Sequence, residues 1–339
     1  MSLPATPRHL PPGVTPPTRP APLKVTALGG GHGLAATLSA LRHLTSDLTA
    51  VVTVADDGGS SGRLRQELDV LPPGDLRMAL SALCDVSDWG QTWRDVLQHR
   101  FTSSGPLNGH AVGNLLIVAL WELLGDQVAG LDLIARLLDA DGRVLPMAAV
   151  PLEIEAEISH PGWPGTQLIR GQSRVAVTSG RVHQVRLCPP DAPACPEAVT
   201  SIRRSDWVVL GPGSWYTSVM PHLLVPELAD ALRATRAKLA LTLNLASQPG
   251  ETAGFSAADH VRSFREYAPA QHIDVIIADP SAVEDVDDLA DSAKEVGARV
   301  LLRQVSAGDG TPRHDNLRLA AAYRDAFERT MGDVGEHAE

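Results

Sequence analysis

The sequence predicts an α/β fold: a mostly parallel sheet flanked by helices, with a small antiparallel insertion. Three observations carry this. Short β-branched strands alternate with amphipathic helices from Lys24 onward. Two such strands run directly into glycine-rich turns, VTAL-GGGHG at Gly29 to Gly33 and DWVVL-GPGS at Gly211 to Ser214. Between 153 and 187 the pattern changes to short alternating segments broken by Gly and Pro, as hairpins require.

In order, residues 24–28 read as a strand, 34–44 as a helix with apolar residues at helical spacing, and 49–54 as a second strand, which together open a parallel βαβ sheet. Asp75 follows Pro72-Pro73-Gly74 and reads as the cap of a helix over 75–83. Residues 110–124 form a strongly apolar, buried helix. After the insertion at about 150–190, strands return at 207–210, 239–243, 275–278 and 300–302, and an amphipathic helix covers 317–331. The expected organisation is a disordered proline-rich arm (1–22), one α/β domain (23–332) and a flexible tail (333–339).

Composition limits the function. With 29 basic and 40 acidic residues, the net charge of −11 argues against nucleic acid as a partner, because phosphate backbones are held by surplus Lys and Arg. The three lysines, Lys24, Lys238 and Lys294, do not follow a glycine loop, so the phosphate loop ending in Gly-Lys-Ser/Thr is absent. Cys84, Cys188 and Cys195 lack paired metal spacing and read as thiols of a reducing compartment. The proline arm has neither the apolar core of a signal peptide nor that of an anchor, and the longest apolar run, around 115–124, is broken by Glu122. A cytoplasmic protein without membrane insertion is expected.

A strand–glycine–helix junction points bare backbone N–H groups and a helix N-terminus at an anion. In the first junction, glycines at 29 and 31 fit the start of the dinucleotide fingerprint, but its third position falls on Leu34. A tight βα turn without a ligand is the plainer alternative. The next strand ends in Asp56-Asp57-Gly58-Gly59-Ser60-Ser61-Gly62-Arg63, and neighbouring carboxyl ends of a parallel sheet face one crevice. A carboxylate there suits ribose hydroxyls or a divalent cation, Mg²⁺ on Asp57 in particular, while Ser60 and Ser61 suit phosphate oxygens. The alternative is an Asx-capped loop leading to a helix over 63–68.

Other candidates fall at the same edge of the sheet. His110 and Asn114 share a helical face, where either also reads as a satisfied core group. Asn244 and Gln248 end a further strand, and their amides suit base or sugar recognition. Arg313 lies in a late glycine-rich turn, as an anion contact or as an exposed basic loop.

The blocks GGGHGLAATLSALR, TAVVTVADDGGSSGRLRQEL, LPPGDLRMALSAL, LNGHAVGNLLIVAL, VLGPGSWYTSVMPHLLV and NLASQPGETAGFSAADHV, in this order, resemble those of the YvcK-type gluconeogenesis factors. These belong to the CofD-like (2-phospho-L-lactate transferase) superfamily, and the resemblance spans about 24–329. It implies a Rossmann-like fold, a cytoplasmic bacterial protein needed for cell shape and wall integrity on gluconeogenic carbon sources, and binding of UDP-sugars such as UDP-N-acetylglucosamine. Carried over by block, Gly30, Gly31, Gly33, Asp56, Asp57, Ser60, Ser61, His110, Asn114, Gly211, Gly213 and Ser214 line the nucleotide cleft, and Arg313 contacts the pyrophosphate. His32 and Trp215 depart from the family's usual threonine and leucine and bring larger side chains beside the cleft. A homodimer is expected; protein partners are not specified by the sequence.

The reading that follows is a UDP-sugar-binding regulator, in which a nucleotide diphosphate ligand closes the cleft. The alternative is a Mg²⁺-dependent phosphoryl-type transferase with Asp56 and Asp57 as its catalytic residues, holding Mg²⁺ against a pyrophosphate while the glycine turns neutralise developing charge. A nicotinamide-dependent oxidoreductase fits Asp56 but not the incomplete glycine fingerprint.

Overall fold

The computed structural model describes residues 21–160 and 162–328. The proline arm up to residue 20, the tail at 333–339 and the end of the last helix at 329–331 lie outside the described residues. The main sheet consists of Lys24–Gly29 (β1), Asp47–Val52 (β2), Arg143–Pro146 (β3), Trp207–Leu210, Lys238–Thr242, Val275–Ala278 and Arg299–Leu302. Since Glu153–Ser159 (β4), Gln167–Arg170 (β5) and Arg181–Cys188 (β6) intervene, the last four are β7 to β10. The seven strands run parallel in the order β10-β9-β8-β7-β1-β2-β3.

Burial explains the strand composition. All four residues of β7 and of β9 are buried, as are five of the six in β1, and parallel strands covered on both faces read as continuous apolar runs. Helix α1 (Gly31–Leu41) follows β1 and buries Leu34, Thr37, Leu38 and Leu41, a stripe at i, i+3, i+4 and i+7. Tyr323 of the helix Asn316–Glu328 packs behind α1, its hydroxyl within 3.2 Å of Thr37 Oγ1 and 3.0 Å of Thr242 Oγ1. The three remaining strands form an antiparallel sheet in the order β5-β4-β6, the expected insertion. Residues of both sheets belong to one apolar core.

The topology creates the site. From β1 the chain moves outward to β2 and β3, then returns after the insertion to place β7 on the other edge of β1. Strand order therefore reverses between β1 and β7, and such a switch point opens a crevice at the carboxyl ends of the strands. Both glycine turns lie there. No helix among the described residues is long and apolar enough to cross a membrane.

Several boundaries differ from those read in the sequence. The helix expected from residue 63 begins at Gly59 and runs to Leu68 (α2), so Ser60 and Ser61 lie in its first turn and are buried. Asp75 does not cap helix α3 (Gly74–Leu83); Pro73 precedes the helix, and Asp75 sits inside its first turn. After helix α4 (Asp88–Gln98), the apolar helix α5 begins at Val112 and ends before Gly125, whose φ of +65° stops it. The sequence pattern does not mark β3, because four residues ending in proline give too short an apolar signal.

Candidate functional site

A cavity of about 1120 Å³ lies over the carboxyl ends of β1, β7 and β8. Its floor is made by the two glycine turns, which touch. A Cβ placed on Gly33 would lie 2.2 Å from the Pro212 carbonyl oxygen and 2.7 Å from Gly213 Cα, so only glycine permits this approach. Gly211 has φ +68°, and its carbonyl accepts the Thr37 hydroxyl at 3.0 Å, which fastens the second turn to α1.

The second turn is also held from β8. The Asn244 amide brackets Gly213, accepting from its N–H at 3.0 Å and donating to its carbonyl at 2.8 Å. Gln248 Oε1 accepts the Trp215 N–H at 3.0 Å. Glu251, 5% exposed, accepts the Tyr216 N–H and the Thr217 hydroxyl, each at 2.7 Å. Burial pushes the Glu251 carboxyl up, and those two bonds pull it back. Asn244 and Gln248 thus line the cavity while fixing the backbone of its floor.

Of the sequence candidates, Gly30, Gly31, Gly33, Gly213, Ser214, Asn244, Gln248 and Arg313 line this cavity together. Gly211 supports the turn from beneath. Asp56, Asp57, Ser60, Ser61, His110 and Asn114 do not line it. Asp56 Oδ1 accepts the Gly58 N–H at 2.9 Å, and burial raises its pKa. Asp57 Oδ1 accepts the Ser173 N–H at 2.8 Å and thereby ties α2 to the insertion, whose Gln172 reaches the cavity. Among the described residues no three His, Cys, Asp or Glu side chains gather as metal ligands.

Ser60, His110 and Asn114 form one buried network. Ser60 Oγ is 3.0 Å from His110 Nδ1 and accepts from Asn114 Nδ2 at 3.0 Å, while Asn114 Oδ1 accepts Arg77 Nε at 2.9 Å. The sequence candidates therefore hold a cavity residue that sequence reasoning passed over. Arg77 lies in the quoted block LPPGDLRMALSAL, so its signal was present; nothing in helical spacing alone said which way it faced.

In the sequence, Asp75 likewise presents itself only as a cap. It lines the cavity beside Gly31, and a Cβ on Gly30 would meet its Oδ2 at 2.6 Å. Burial, with the Asp56 charge adding to it, pushes the Asp75 carboxyl up to about 7, against the Gly31 N–H and Arg77, which favour the charged form. A carboxyl at the N-terminus of α1 occupies the position where that helix attracts anions.

The two departures noted above separate in space. His32 lines the cavity. Trp215 does not: it is 1% exposed, and the π-helical turn Trp215–Val219 sends its indole toward the helix Ala257–Tyr267, where Nε1 donates to Ser263 Oγ at 3.2 Å. Its bulk is absorbed by the core rather than by the cleft.

Residues 25–304 match the family described as 2-phospho-L-lactate transferase CofD. A Mycobacterium tuberculosis protein, provisionally assigned as a gluconeogenesis factor, is 53% identical over 91% of each chain. The gluconeogenesis factor of Bacillus subtilis is 35% identical over 90% of this chain and 98% of its own. The crystal structure of a UPF0052-family protein from Bacillus halodurans superposes with a TM-score of 0.80 at 32% identity, covering 88% of this chain and 98% of that one. The switch-point cleft and these likenesses agree: the chain belongs to the CofD family, in the company of the bacterial gluconeogenesis factors.

Proposed function

We propose that this protein is a cytoplasmic gluconeogenesis factor that works by binding a nucleotide sugar, of the UDP-N-acetylglucosamine type, and so supports cell shape and wall integrity on gluconeogenic carbon sources. The observation that carries the reading is the contact between Gly33 and Pro212, which brings two glycine turns into one cavity floor. Backbone N–H groups at the start of α1 suit a diphosphate. The cavity volume of about 1120 Å³ lies just above the usual span for a small-molecule site and leaves room for an extended nucleotide sugar. Names of the relatives support the gluconeogenesis-factor role, and the resemblance of the sequence blocks supports the ligand and the part in cell shape and wall integrity.

Function then follows from differential affinity. A ligand that touches both turns, Gln172 of the insertion and Arg313 favours the closed cleft, and it shifts the protein toward that state by as much as it prefers it. The closed state, as a homodimer, presents a changed surface to its partners.

The test is calorimetric and thermal titration with UDP-N-acetylglucosamine, with mass spectrometry of small molecules released from the purified protein. Ligand at ~100 times its dissociation constant adds about 2.7 kcal/mol of stability. An unchanged melting temperature at millimolar ligand overturns the reading, and Mg²⁺-dependent turnover of a nucleotide replaces it with a transferase.

A further inference from the structure

Arg77 is 3% exposed, yet among the described residues no carboxylate lies within ion-pairing distance of it. Its Nε donates to Asn114 Oδ1 and its Nη1 to Gln98 Oε1, both neutral amide oxygens, and among the described residues its Nη2 has no partner. A buried charge is stable only when paired. After burial, the largest influence on it is another cation, Arg100, which among the described residues also lacks an acid partner and spends only Nη1 on the Gly109 carbonyl at 2.9 Å. Asp75 and Asp56 act on Arg77 only from beyond contact distance.

The same arm of the cavity, between α1, α3 and α4, includes Arg42, Arg94 and Ser81. Arg42 is committed to Asp141 and to the Cys84 carbonyl, and Arg94 to Asp95. Ser81 Oγ is buried without a hydrogen-bond partner. Among the described residues, four guanidinium groups thus gather on one wall of a chain whose net charge is −11, and two of them have no acid partner. The buried network from His110 through Ser60 and Asn114 holds Arg77 in place with one N–H₂ free.

We propose that this arm is an oxyanion subsite, in which Arg77 and Arg100 take an acidic group carried by the sugar of the nucleotide-sugar ligand, separate from the diphosphate on the glycine turns. The inference rests on the nucleotide-sugar reading given above. A carboxylate matches the fork of a guanidinium, and two arginines whose charges oppose each other are relieved when an anion enters between them.

The experiment compares matched ligands by calorimetry: UDP-glucuronate against UDP-glucose, and UDP-N-acetylmuramate against UDP-N-acetylglucosamine, on the wild type and on Arg100→Gln. Arg100 is exposed, so this variant retains its fold. At least one acidic ligand is expected to bind about tenfold or more tighter than its neutral parent, and Arg100→Gln to erase that preference while leaving the neutral parents unchanged. Acidic ligands that bind no tighter than their parents overturn the subsite. A loss shared equally by acidic and neutral ligands also overturns it, since the arginine would then serve the diphosphate. If none of the four binds, the nucleotide-sugar reading itself falls, and the subsite is judged on inorganic phosphate at constant ionic strength. A rise in melting temperature that Arg100→Gln abolishes supports an anion site there, and an equal rise in both proteins overturns it.

Discussion

Gly33 of α1 and Pro212 of the second glycine turn approach so closely that a single methyl group on Gly33 would lie 2.2 Å from the Pro212 carbonyl oxygen. The atoms it would meet are backbone, which cannot rotate away as a side chain does. The turn after β7 and the helix after β1 therefore form one rigid floor, and the switch point of the sheet is defined by a residue with no side chain.

Gly33→Ala is expected to separate the two turns. Overpacking of this kind costs about 1 to 3 kcal/mol, so a melting temperature several degrees lower is the expected outcome, together with loss of UDP-N-acetylglucosamine affinity. Gly105→Ala is the control, because a Cβ there meets nothing within 4 Å. Equal melting temperatures and equal affinities for the two variants would show that the turns do not depend on each other.

Asp75 makes stability depend on pH with a definite sign. Burial pushes its pKa up to about 7 in the folded protein against 3.8 for a free carboxyl, so the folded state holds a proton that the unfolded chain releases. The stability this contributes is fully present below about pH 4 and is lost as pH rises through 7. Asp75→Asn should flatten the profile over that window, by up to about 1.4 kcal/mol per pH unit, and become the more stable protein at pH 8. Asp56 and Glu251 are raised as well, so some slope of the same sign should persist. Denaturant unfolding at pH 5 and pH 8 reads it directly, and parallel profiles for the two proteins would place the Asp75 carboxyl in solvent.

Much of this architecture was legible because parallel strands buried on both faces must be apolar runs, and the turns between strand and helix must be glycine. VTAL and WVVL could hardly be anything else. Direction was harder to read than position. Ser60 and Ser61 look like loop residues after Gly58-Gly59, yet α2 begins at Gly59 and turns both hydroxyls inward. Arg77 and Asp75 sit in a helix whose other side is core, and which of its polar residues meets the cavity depends on how α3 packs against α1. Glu251 reads as a loop acid. Only the tertiary structure shows it accepting two bonds that hold the second glycine turn.

Ser60→Ala separates a wall residue from a ligand contact. The hydroxyl is shared by His110 and Asn114 and lies behind Arg77 rather than in the cavity, so its removal leaves buried polar groups unpaired. A loss of about 1 to 3 kcal/mol in unfolding free energy is expected, with UDP-N-acetylglucosamine affinity reduced far less than stability. Intact stability with affinity lost in calorimetry would instead put the hydroxyl on the ligand.

Arg313→Glu tests the opposite case, a residue on the rim that stability does not need. Its side chain is 73% exposed and pairs with Asp309 at 2.5 Å and Thr311 Oγ1 at 3.0 Å, a local arrangement at the surface. Such an exposed pair adds little to stability, and the turn is kept by backbone bonds, Ala307 N–H to the Arg313 carbonyl at 2.8 Å among them. The reversed charge should therefore leave the melting temperature nearly unchanged. Binding is another matter, because Arg313 lines the cavity, and a guanidinium released from Asp309 can grip a diphosphate with two N–H donors. A charge-assisted bond contributes about 1.5 to 3 kcal/mol, so UDP-N-acetylglucosamine affinity should fall at least about tenfold, and further at low salt, where repulsion from the new carboxylate is least screened. Calorimetric titration at two ionic strengths decides: dissociation constants that match the wild type at both would confine Arg313 to the surface turn and leave the diphosphate to the backbone of the two glycine loops.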